Sequence, residues 1–363
     1  MKCRLAWMEL DADALRHNLA RARAAAPGTR VMACIKAAGY GHGLIFTAEA
    51  LAPTADAFAV ACTAEGIALR RAGFDAHPIC ILNGPADSEE LTAAAEWRLE
   101  PVIHQRWQLE AIAEHPGPGR IRPWLKINSG MGRIGIPAHE AHAWHERLRT
   151  APVVRRPVGV MTHMACADDR ADDYTDRQWQ VFAAATHGLE GPRSAANSAS
   201  VLAWPDTHGE WVRPGIMLYG CSPFIEGADP ALDLRPVMTL RAPLIAINHL
   251  ERGDAVGYGR TWSAPEAMPV GVVAIGYGDG YPRAVNNGTP VLVGEHRAPI
   301  VGRVSMDKIT IDLRHAEAAV GDTVTLWGRG LPIEEIAEAA DTIGYELLCG
   351  VHGRVPVAGG HRP

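Results

Sequence analysis

Short apolar runs alternate with amphipathic stretches along the first two-thirds of this 363-residue chain. The first amphipathic stretch covers residues 11–26, has apolar residues at helical spacing and stops at Pro27-Gly28. The apolar runs that come after it predict strands, most of them followed by a stretch with helical spacing. The predicted strands cover residues 31–35, 58–61, 78–82, 101–103, 123–127, 158–163, 194–197 and 210–213.

This alternation predicts an α/β fold of about eight strand–helix units. The intervals fit a (β/α)8 TIM-type barrel, which needs about 250 residues. A doubly wound open sheet fits the same alternation, and the spacing alone does not separate the two. No G-x-G-x-x-G turn follows the first predicted strand, so the usual dinucleotide signature is absent there.

The pattern changes at about Ala231. Runs rich in Val, Ile and Thr, separated by glycines, replace the helical spacing, and one short helix is predicted over residues 333–340. This texture is typical of a small, mostly antiparallel β domain. We therefore predict a barrel domain over residues 1–230 and a C-terminal β domain over residues 231–363.

Composition narrows the class of protein. Apolar residues make up 47% and charged residues 21% of the chain, and the net charge is −6, as in ordinary globular proteins. No apolar run reaches the roughly 18 residues of a membrane helix, and nothing basic suggests nucleic acid. The seven cysteines form no C-x-x-C pair, which favours reduced thiols and a cytoplasmic location. The sixteen histidines show no metal-binding spacing, so we expect no metal.

Polar residues stand at the ends of several predicted strands. In a barrel, the carboxyl ends of the strands meet at one face, where active sites form. Two lysines, an arginine and two further polar residues at such ends therefore predict a polar, basic pocket; they are Lys36, Lys126, His163, Asn197 and Arg213.

Each candidate also has a plainer interpretation. Lys36 stands between an apolar strand and a glycine-rich segment. Desolvation there would lower the pKa of its amine and make it a nucleophile; in the plainer interpretation, its side chain simply extends into solvent. Asn197-Ser198 and Gly215-Ile216 suit a phosphate cradle, although Asn197 and Ser198 are also ordinary helix caps. Arg133 on a glycine loop suits a carboxylate or the solvent. Tyr258 lies on a glycine turn, where a phenol either packs or serves as a base.

Several motifs occur together, in order, over nearly the whole chain. They are Lys36-Ala37-Ala38-Gly39-Tyr40-Gly41-His42-Gly43, Gly130-Met131-Gly132-Arg133, Thr162-His163-Met164-Ala165, Ala196-Asn197-Ser198-Ala199, Arg213-Pro214-Gly215-Ile216, Gly257-Tyr258-Gly259-Arg260, Gly276-Tyr277-Gly278-Asp279-Gly280-Tyr281 and Arg303-Val304-Ser305-Met306-Asp307. This ordered set resembles the bacterial alanine racemases, which use pyridoxal 5'-phosphate. Each motif alone is weak, but the ordered set is specific.

The resemblance implies interconversion of L- and D-alanine by a head-to-tail homodimer with shared active sites. Lys36 would hold the cofactor and act as the base on one face of the substrate α-carbon. Tyr258 of the partner subunit would serve the opposite face. The cofactor pocket would be formed by Lys36, Tyr40, Leu82, His163, Asn197, Ser198, Arg213, Gly215 and Ile216.

The resemblance also assigns roles at the two ends of this pocket. Arg213 would face the pyridine nitrogen and, because a guanidinium keeps its proton, leave that nitrogen unprotonated. His163 would lie beside the ring and help to orient Arg213. Arg133 and the backbone at Met306 would hold the substrate carboxylate. Lys126 matches a lysine that is often carbamylated in the family.

The chain departs from the family pattern at six positions: Ala38, Asn128, Ser194, Lys308, Gly353 and Val357. Ala38 and Gly353 are smaller than the residues common there and could widen the pocket. A broad-spectrum racemase acting on serine or larger amino acids is therefore the alternative. A non-catalytic cofactor carrier resembles the barrel alone, and a related decarboxylase lacks the loop around Arg133, so both rank lower.

Overall fold

The computed structural model of the chain describes residues 5–115, 120–351 and 353–358. The strands, numbered in chain order, are β1 Trp7–Leu10, β2 Arg30–Cys34, β3 Ala57–Val60, β4 Ile79–Ile81, β5 Glu100–Ile103, β6 Trp124–Asn128, β7 Ile136–Pro137, β8 Gly159–Met161, β9 Arg193–Ser194, β10 Trp211–Val212, β11 Met238–Leu250, β12 Ala255–Val256, β13 Trp262–Ser263, β14 Met268–Val273, β15 Pro290–Val293, β16 His296–Pro299, β17 Ile309–Asp312 and β18 Thr323–Trp327.

Most of the helices alternate along the chain with the strands of the first of two large sheets, and the last two follow the strands of the second. They are α1 Ala12–Ala25, α2 Leu44–Leu51, α3 Thr63–Arg71, α4 Ser88–Glu96, α5 Arg106–Glu114, α6 Ala141–Thr150, α7 Tyr174–Thr186, α8 Ser198–Ala203, α9 Ile333–Ala339 and α10 Gly344–Gly350. None of the helices in the described ranges is long and apolar enough to cross a membrane.

The first large sheet is a closed barrel of parallel strands. Neighbours pair in the order β2, β3, β4, β5, β6, β8, β9 and β10, and β10 pairs with β2 to close the ring. Strands such as β3 and β4 are buried along their whole length, as expected where helices cover one face and packed side chains fill the other. The TIM-type barrel is confirmed, and the open-sheet alternative is wrong because β10 and β2 close the sheet.

Helix α1 comes before the first barrel strand and packs beside the chain that leaves the last one. Asp11 caps its start by accepting a hydrogen bond from the Ala14 amide at 3.0 Å. The buried side chain of Asn18 donates to the carbonyls of Leu218, at 3.0 Å, and Arg235, at 2.8 Å. The helix therefore fastens the end of the barrel to the start of the second domain.

The second large sheet is antiparallel, in the order β16, β15, β18, β11, β14 and β17, with β1 also paired to β11. Its mostly antiparallel character is confirmed. Strand β1 pairs residue by residue with the first four residues of β11. Residues 7–10, which lie within the predicted barrel segment of residues 1–230, thus pair with a strand of the second sheet.

Candidate active site

The candidate residues of the barrel lie at one end of it. Because the barrel strands are parallel, their carboxyl ends meet at the same face. The side chains that follow or end these strands are Lys36 after β2, Leu82 after β4, Lys126 in β6, His163 after β8, Asn197 after β9 and Arg213 after β10. Leu82 is half-buried and packs against the hydrophobic core. The structure therefore brings these predicted residues together.

A left-handed turn follows β2 and presents Lys36 and Tyr40. Residues 37–40 have φ angles between 51° and 64°, a conformation that disfavours residues other than glycine. The buried ring of His42 stabilises the turn, since its Nδ1 lies 3.0 Å from the Gly39 carbonyl oxygen and 2.9 Å from that of Tyr40. The sequence KAAGYGHG thus encodes a strained connection at the mouth of the barrel.

Tyr40 points into the protein and is fixed by two other tyrosines. Its ring stacks on Tyr219 with centroids 4.6 Å apart, and Tyr345 of helix α10 lies at 6.1 Å. The Tyr219 hydroxyl donates to the Cys34 carbonyl at 3.1 Å. Burial raises the pKa of Tyr40 well above its usual value, so its hydroxyl remains protonated and able to donate.

The Tyr40 hydroxyl approaches a backbone segment after β10. A Cβ atom on Gly215 would lie 2.5 Å from the Tyr40 oxygen, which explains why this position has no side chain. The buried Ser198 hydroxyl accepts hydrogen bonds from the amides of Gly215, at 2.8 Å, and Met217, at 3.4 Å. The Ile216 amide lies between these two in the chain. Hydroxyl and amide donors thus converge at this end of the barrel.

Asn197 caps a helix, which was the plainer of its two interpretations. Its side-chain oxygen accepts from the Ser200 amide at 3.0 Å at the start of α8. Its side-chain nitrogen donates to the Met164 carbonyl at 3.4 Å. These contacts join the loops that follow β8 and β9.

Arg213 is a buried guanidinium held by neutral oxygen atoms. It donates to the Ser194 hydroxyl at 2.5 Å, to the Thr162 carbonyl at 2.7 Å and to the Ala195 carbonyl at 3.3 Å. No carboxylate of the described residues forms a salt bridge with it. Ser194, one of the departures from the family pattern, is therefore a direct partner of the arginine.

His163 and Lys126 lie beside Arg213 and are both held away from their charged forms. Arg213 lies 3.3 Å from His163 Nδ1, which accepts its hydrogen bond. Burial, and then the charges of Lys126 and Arg213, lower the pKa of His163 well below its usual value. Burial, and then Arg213 and Arg133, do the same to the pKa of Lys126, which donates to the Thr162 carbonyl at 3.0 Å. Arg213 is thus a buried charge beside two groups that favour their neutral forms, and it suits an anionic ligand.

The glycine loop after β6 is organised by Asn128. Its side-chain oxygen accepts from the amides of Gly130, at 3.1 Å, and Gly132, at 3.0 Å, so this second departure keeps an acceptor at the base of the loop. Arg133 is exposed and lines a small cavity together with Lys126 and His163.

Tyr258 and Met306 lie in the C-terminal domain and are exposed by 70% and 52%. Tyr258 stands on the turn between β12 and β13. A cavity of about 630 Å³ opens at the mouth of the barrel, and its lining includes His163, Asn197 and Tyr345 but neither Tyr258 nor Met306. Within one chain, neither of these two exposed side chains lines this cavity.

The sequence interpretation missed several residues of this site. Thr162 supplies the carbonyl shared by Lys126 and Arg213, Tyr219 supports Tyr40, and His42 holds the turn. Backbone acceptors and ring stacking leave no signal in sequence. Only the repeated aromatic and glycine positions within the matched motifs pointed to them.

Both halves of the chain match one enzyme family. The alanine racemase N-terminal domain matches residues 10–223, and the alanine racemase C-terminal domain matches residues 237–358. The chain belongs to the alanine racemase family. This confirms the resemblance drawn from the motifs. The match includes the second domain, which a barrel-only cofactor carrier lacks.

Named relatives agree over nearly full length. An alanine racemase of Halorhodospira halophila is 52% identical over 353 residues, covering 97% of this chain and 97% of the relative. One of Nitrosococcus oceani is 51% identical, covering 96% and 97%. The crystal structure of biosynthetic alanine racemase from Pseudomonas aeruginosa is similar with a TM-score of 0.94 and 43% identity, covering 99% and 100%. The chain is accordingly an enzyme, an isomerase of the amino-acid racemase class.

Proposed function

We propose that this enzyme is a pyridoxal-phosphate-dependent alanine racemase that interconverts L- and D-alanine with two bases. The observation that carries the proposal is that Lys36 and the buried Arg213 follow barrel strands at the same end of the barrel. An amine at the mouth and a permanently charged donor below it suit a cofactor with a reactive aldehyde and a ring nitrogen.

The residues present fit that cofactor by shape and by charge. The hydroxyls of Tyr40 and Ser198 and the backbone at Gly215 and Ile216 form a cradle for a phosphate. The Gly215 amide holds the Ser198 hydroxyl in place, and a Cβ on Gly215 would fill the cradle. Arg213 forms no salt bridge with a described carboxylate, so an anionic ligand would offset its charge. Leu82 and Asn197 border the same end of the barrel.

Lys36 would hold the cofactor through its amine and exchange the α-proton on one face of the substrate. Pyridoxal phosphate supplies an electron sink that makes the α-carbon proton acidic. Arg213 would donate to the pyridine nitrogen without giving up its proton, because a guanidinium stays charged at working pH. The neutral ring of His163 accepts from Arg213 and keeps it oriented.

The second base in this proposal is Tyr258 of a partner subunit. Inversion at the α-carbon requires one group to remove the proton and another to deliver one to the opposite face. The 70% exposure of Tyr258 in one chain leaves it free to enter another chain's site. The proposed enzyme is therefore a head-to-tail homodimer, in which the β domain of residues 231–363 completes the site of the barrel of residues 1–230.

The substrate carboxylate would bind Arg133 and the backbone amide of Met306. Lys126 would carry a carbamate beside Arg133. The lowered pKa of Lys126 supports this, because a neutral amine is the form that reacts with carbon dioxide. The carbamate would place a negative charge near Arg133 and Arg213, the two arginines whose charges lower that pKa.

Removal of Lys36 tests the cofactor and the first base together. In Lys36→Ala we expect loss of the visible absorbance of lysine-bound cofactor and loss of racemisation of both alanine enantiomers. Lys308→Ala, at an exposed lysine, is the matched control and should retain both. Racemisation by cofactor-loaded Lys36→Ala at the wild-type rate would contradict the proposal.

Mixing two inactive variants tests whether sites are shared between subunits. Lys36→Ala and Tyr258→Phe should each lose racemisation as homodimers. After exchange of subunits, a heterodimer has one site with both native bases, so activity should return in the mixture. No recovery after verified exchange would contradict a shared site.

The substrate range, cellular role and location are part of the same proposal. Racemisation of a panel of amino acids decides between alanine and the broad-spectrum alternative, since alanine far ahead in kcat/KM excludes the latter. We propose D-alanine biosynthesis in the cytoplasm, supported by the biosynthetic relative and by the six free cysteines of the described residues.

A further inference from the structure

A second charged cavity lies at the opposite end of the barrel from Lys36. It has a volume of about 530 Å³, which is in the range of small-molecule sites. Its lining residues precede or begin the strands β4, β5, β6 and β8, whereas the candidate active site is built at their carboxyl ends. Five arginines line it: Arg70, Arg98, Arg120, Arg122 and Arg155.

Part of this positive charge forms the floor of the cavity. Arg70 is buried and donates to four carbonyls, among them those of Trp97, at 3.0 Å, and His77, at 2.8 Å. These bonds tie together the loops before β4 and β5. Because four hydrogen bonds hold the Arg70 guanidinium in place, it gives the cavity a fixed floor with a positive charge.

The acidic residues of the cavity neutralise two other arginines. Asp75 binds Arg98 at 2.7 Å, and Glu100 lies 3.5 Å from Arg122. Glu100 also accepts from the Trp124 indole at 3.0 Å, so both of its oxygens are engaged. The remaining acid, Glu96, is exposed.

Two arginines at the rim form no salt bridge with the described residues, and the charge of one of them, Arg155, acts on Glu100 from a longer distance. Arg120 and Arg155 are exposed and form no salt bridge there, and the Nε atom of Arg122 is buried without a hydrogen-bond partner. Five guanidinium groups thus face three carboxylates in a chain whose net charge is −6.

The backbone holds these arginines on one side. Ile121 and Val154 form a parallel bridge and are both buried. The Ile121 amide donates to Val153 at 3.0 Å, and the Arg155 amide donates to Ile121 at 2.7 Å. Neighbours of a residue in an extended segment point to the opposite face, so the residues on either side of Ile121 and after Val154 face the cavity together.

We propose that this cavity binds a small metabolite that carries a diphosphate group. Guanidinium groups favour phosphate because their paired N–H donors match its oxygens. Arg120, Arg122 and Arg155 come from two segments and offer more donors than a single phosphate needs. The proposal is independent of the racemase mechanism, because none of these residues touches the candidate active site.

Titration of the cofactor-loaded enzyme with pyrophosphate tests this proposal. Calorimetry at constant ionic strength, balanced with potassium chloride, should show saturable binding of one pyrophosphate per chain. The double variant Arg120→Gln/Arg155→Gln should bind it roughly tenfold more weakly or worse, since it loses two charge-assisted contacts. The cofactor absorbance of the same sample should stay constant, which keeps the active site out of the measurement.

Matched controls make the result decisive. Arg147→Gln/Arg252→Gln removes two exposed arginines elsewhere and should bind pyrophosphate like the wild type. Thermal unfolding of the cavity variant should match the wild type, because its two side chains make no salt bridge with the described residues. The proposal is overturned by an absence of saturable binding, by equal losses in both double variants, or by inorganic phosphate binding as tightly as pyrophosphate.

Discussion

Gly215→Ala is expected to impair both folding and cofactor binding, for two separable reasons. The new Cβ would lie 2.5 Å from the Tyr40 hydroxyl oxygen and 3.3 Å from the ring carbon that bears it. The ring has little freedom to withdraw, because Tyr219 stacks on it at 4.6 Å and Tyr345 lies at 6.1 Å. Overpacking of this kind costs about 1–3 kcal/mol of unfolding free energy.

The cofactor effect has a different origin. A methyl group at residue 215 would occupy the proposed phosphate cradle, and displacing one good contact to a charged group costs about 1.5–3 kcal/mol. The dissociation constant for pyridoxal phosphate should therefore rise by roughly ten- to a hundredfold. Equilibrium dialysis of the apoenzyme with the cofactor measures this, and urea unfolding measures the stability.

Tyr40→Phe separates the two effects in the Gly215→Ala background. Without the hydroxyl, the nearest remaining atom is 3.3 Å from the new Cβ, so the double variant should regain most of the lost stability. Cofactor affinity should stay low, because the cradle has lost the Tyr40 donor as well. A double variant that is no more stable than Gly215→Ala would refute the clash, and wild-type cofactor affinity in Gly215→Ala would refute the cradle.

Three further outcomes follow from the same contacts. Gly41→Ala should lower the unfolding free energy by about 2 kcal/mol or more in urea, because φ is +83° and the Cβ would lie 2.2 Å from the Leu348 carbonyl oxygen; an unchanged midpoint would contradict that packing. Asn197→Ala should cost about 1 kcal/mol in the same assay through loss of the cap on the Ser200 amide, with Asn197→Asp as the capping control. Burial lowers the pKa of His42 to about 4, so the unfolded chain binds a proton that the folded chain does not, and stability should fall by about 3 kcal/mol as the pH drops from 6.5 to 4. His42→Asn, which keeps a donor, should show a smaller loss over that interval; an equal loss would assign the slope to other groups.

The barrel was predictable because each of its strands is a short apolar run bounded by a polar or glycine-rich end. All eight predicted barrel strands exist, each with shifted limits, as between the predicted 158–163 and the observed Gly159–Met161. Lys36, His163 and Arg213 were identified as candidates because they are the polar residues at the ends of such runs. The choice between a barrel and an open sheet depended on the pairing of β10 with β2, which no local pattern records.

The strands of the second domain were harder to predict from the sequence. Strand β11 runs for 13 residues through Pro243, Asn248 and His249, which read as non-strand residues, yet it pairs with β1, β14 and β18. Tertiary pairing overrides weak propensity in such a central strand. Strand β1 was not predicted, because the strand with which it pairs lies more than 200 residues away in the chain.

Some residues of the candidate site could be predicted from the sequence and others could not. Charged and glycine positions inside motifs could be identified, whereas the carbonyl of Thr162 and the stacking of Tyr219 on Tyr40 arise only in three dimensions. The glycine turn around Tyr258 indicated an exposed phenol, and the side chain is 70% exposed. That exposure supports the proposed contribution of Tyr258 to the site of a second subunit.

The origin of the α-proton in the product tests the two-base proposal most directly. The cofactor-loaded enzyme is given L-alanine in deuterium oxide, and the D-alanine formed in the first few per cent of reaction is analysed by mass spectrometry. If Lys36 and Tyr258 serve opposite faces, the group that delivers hydrogen is not the group that removed it, so this D-alanine should carry deuterium at the α-carbon. D-alanine that retains the original proton would contradict the account, because it would require a single group to act on both faces.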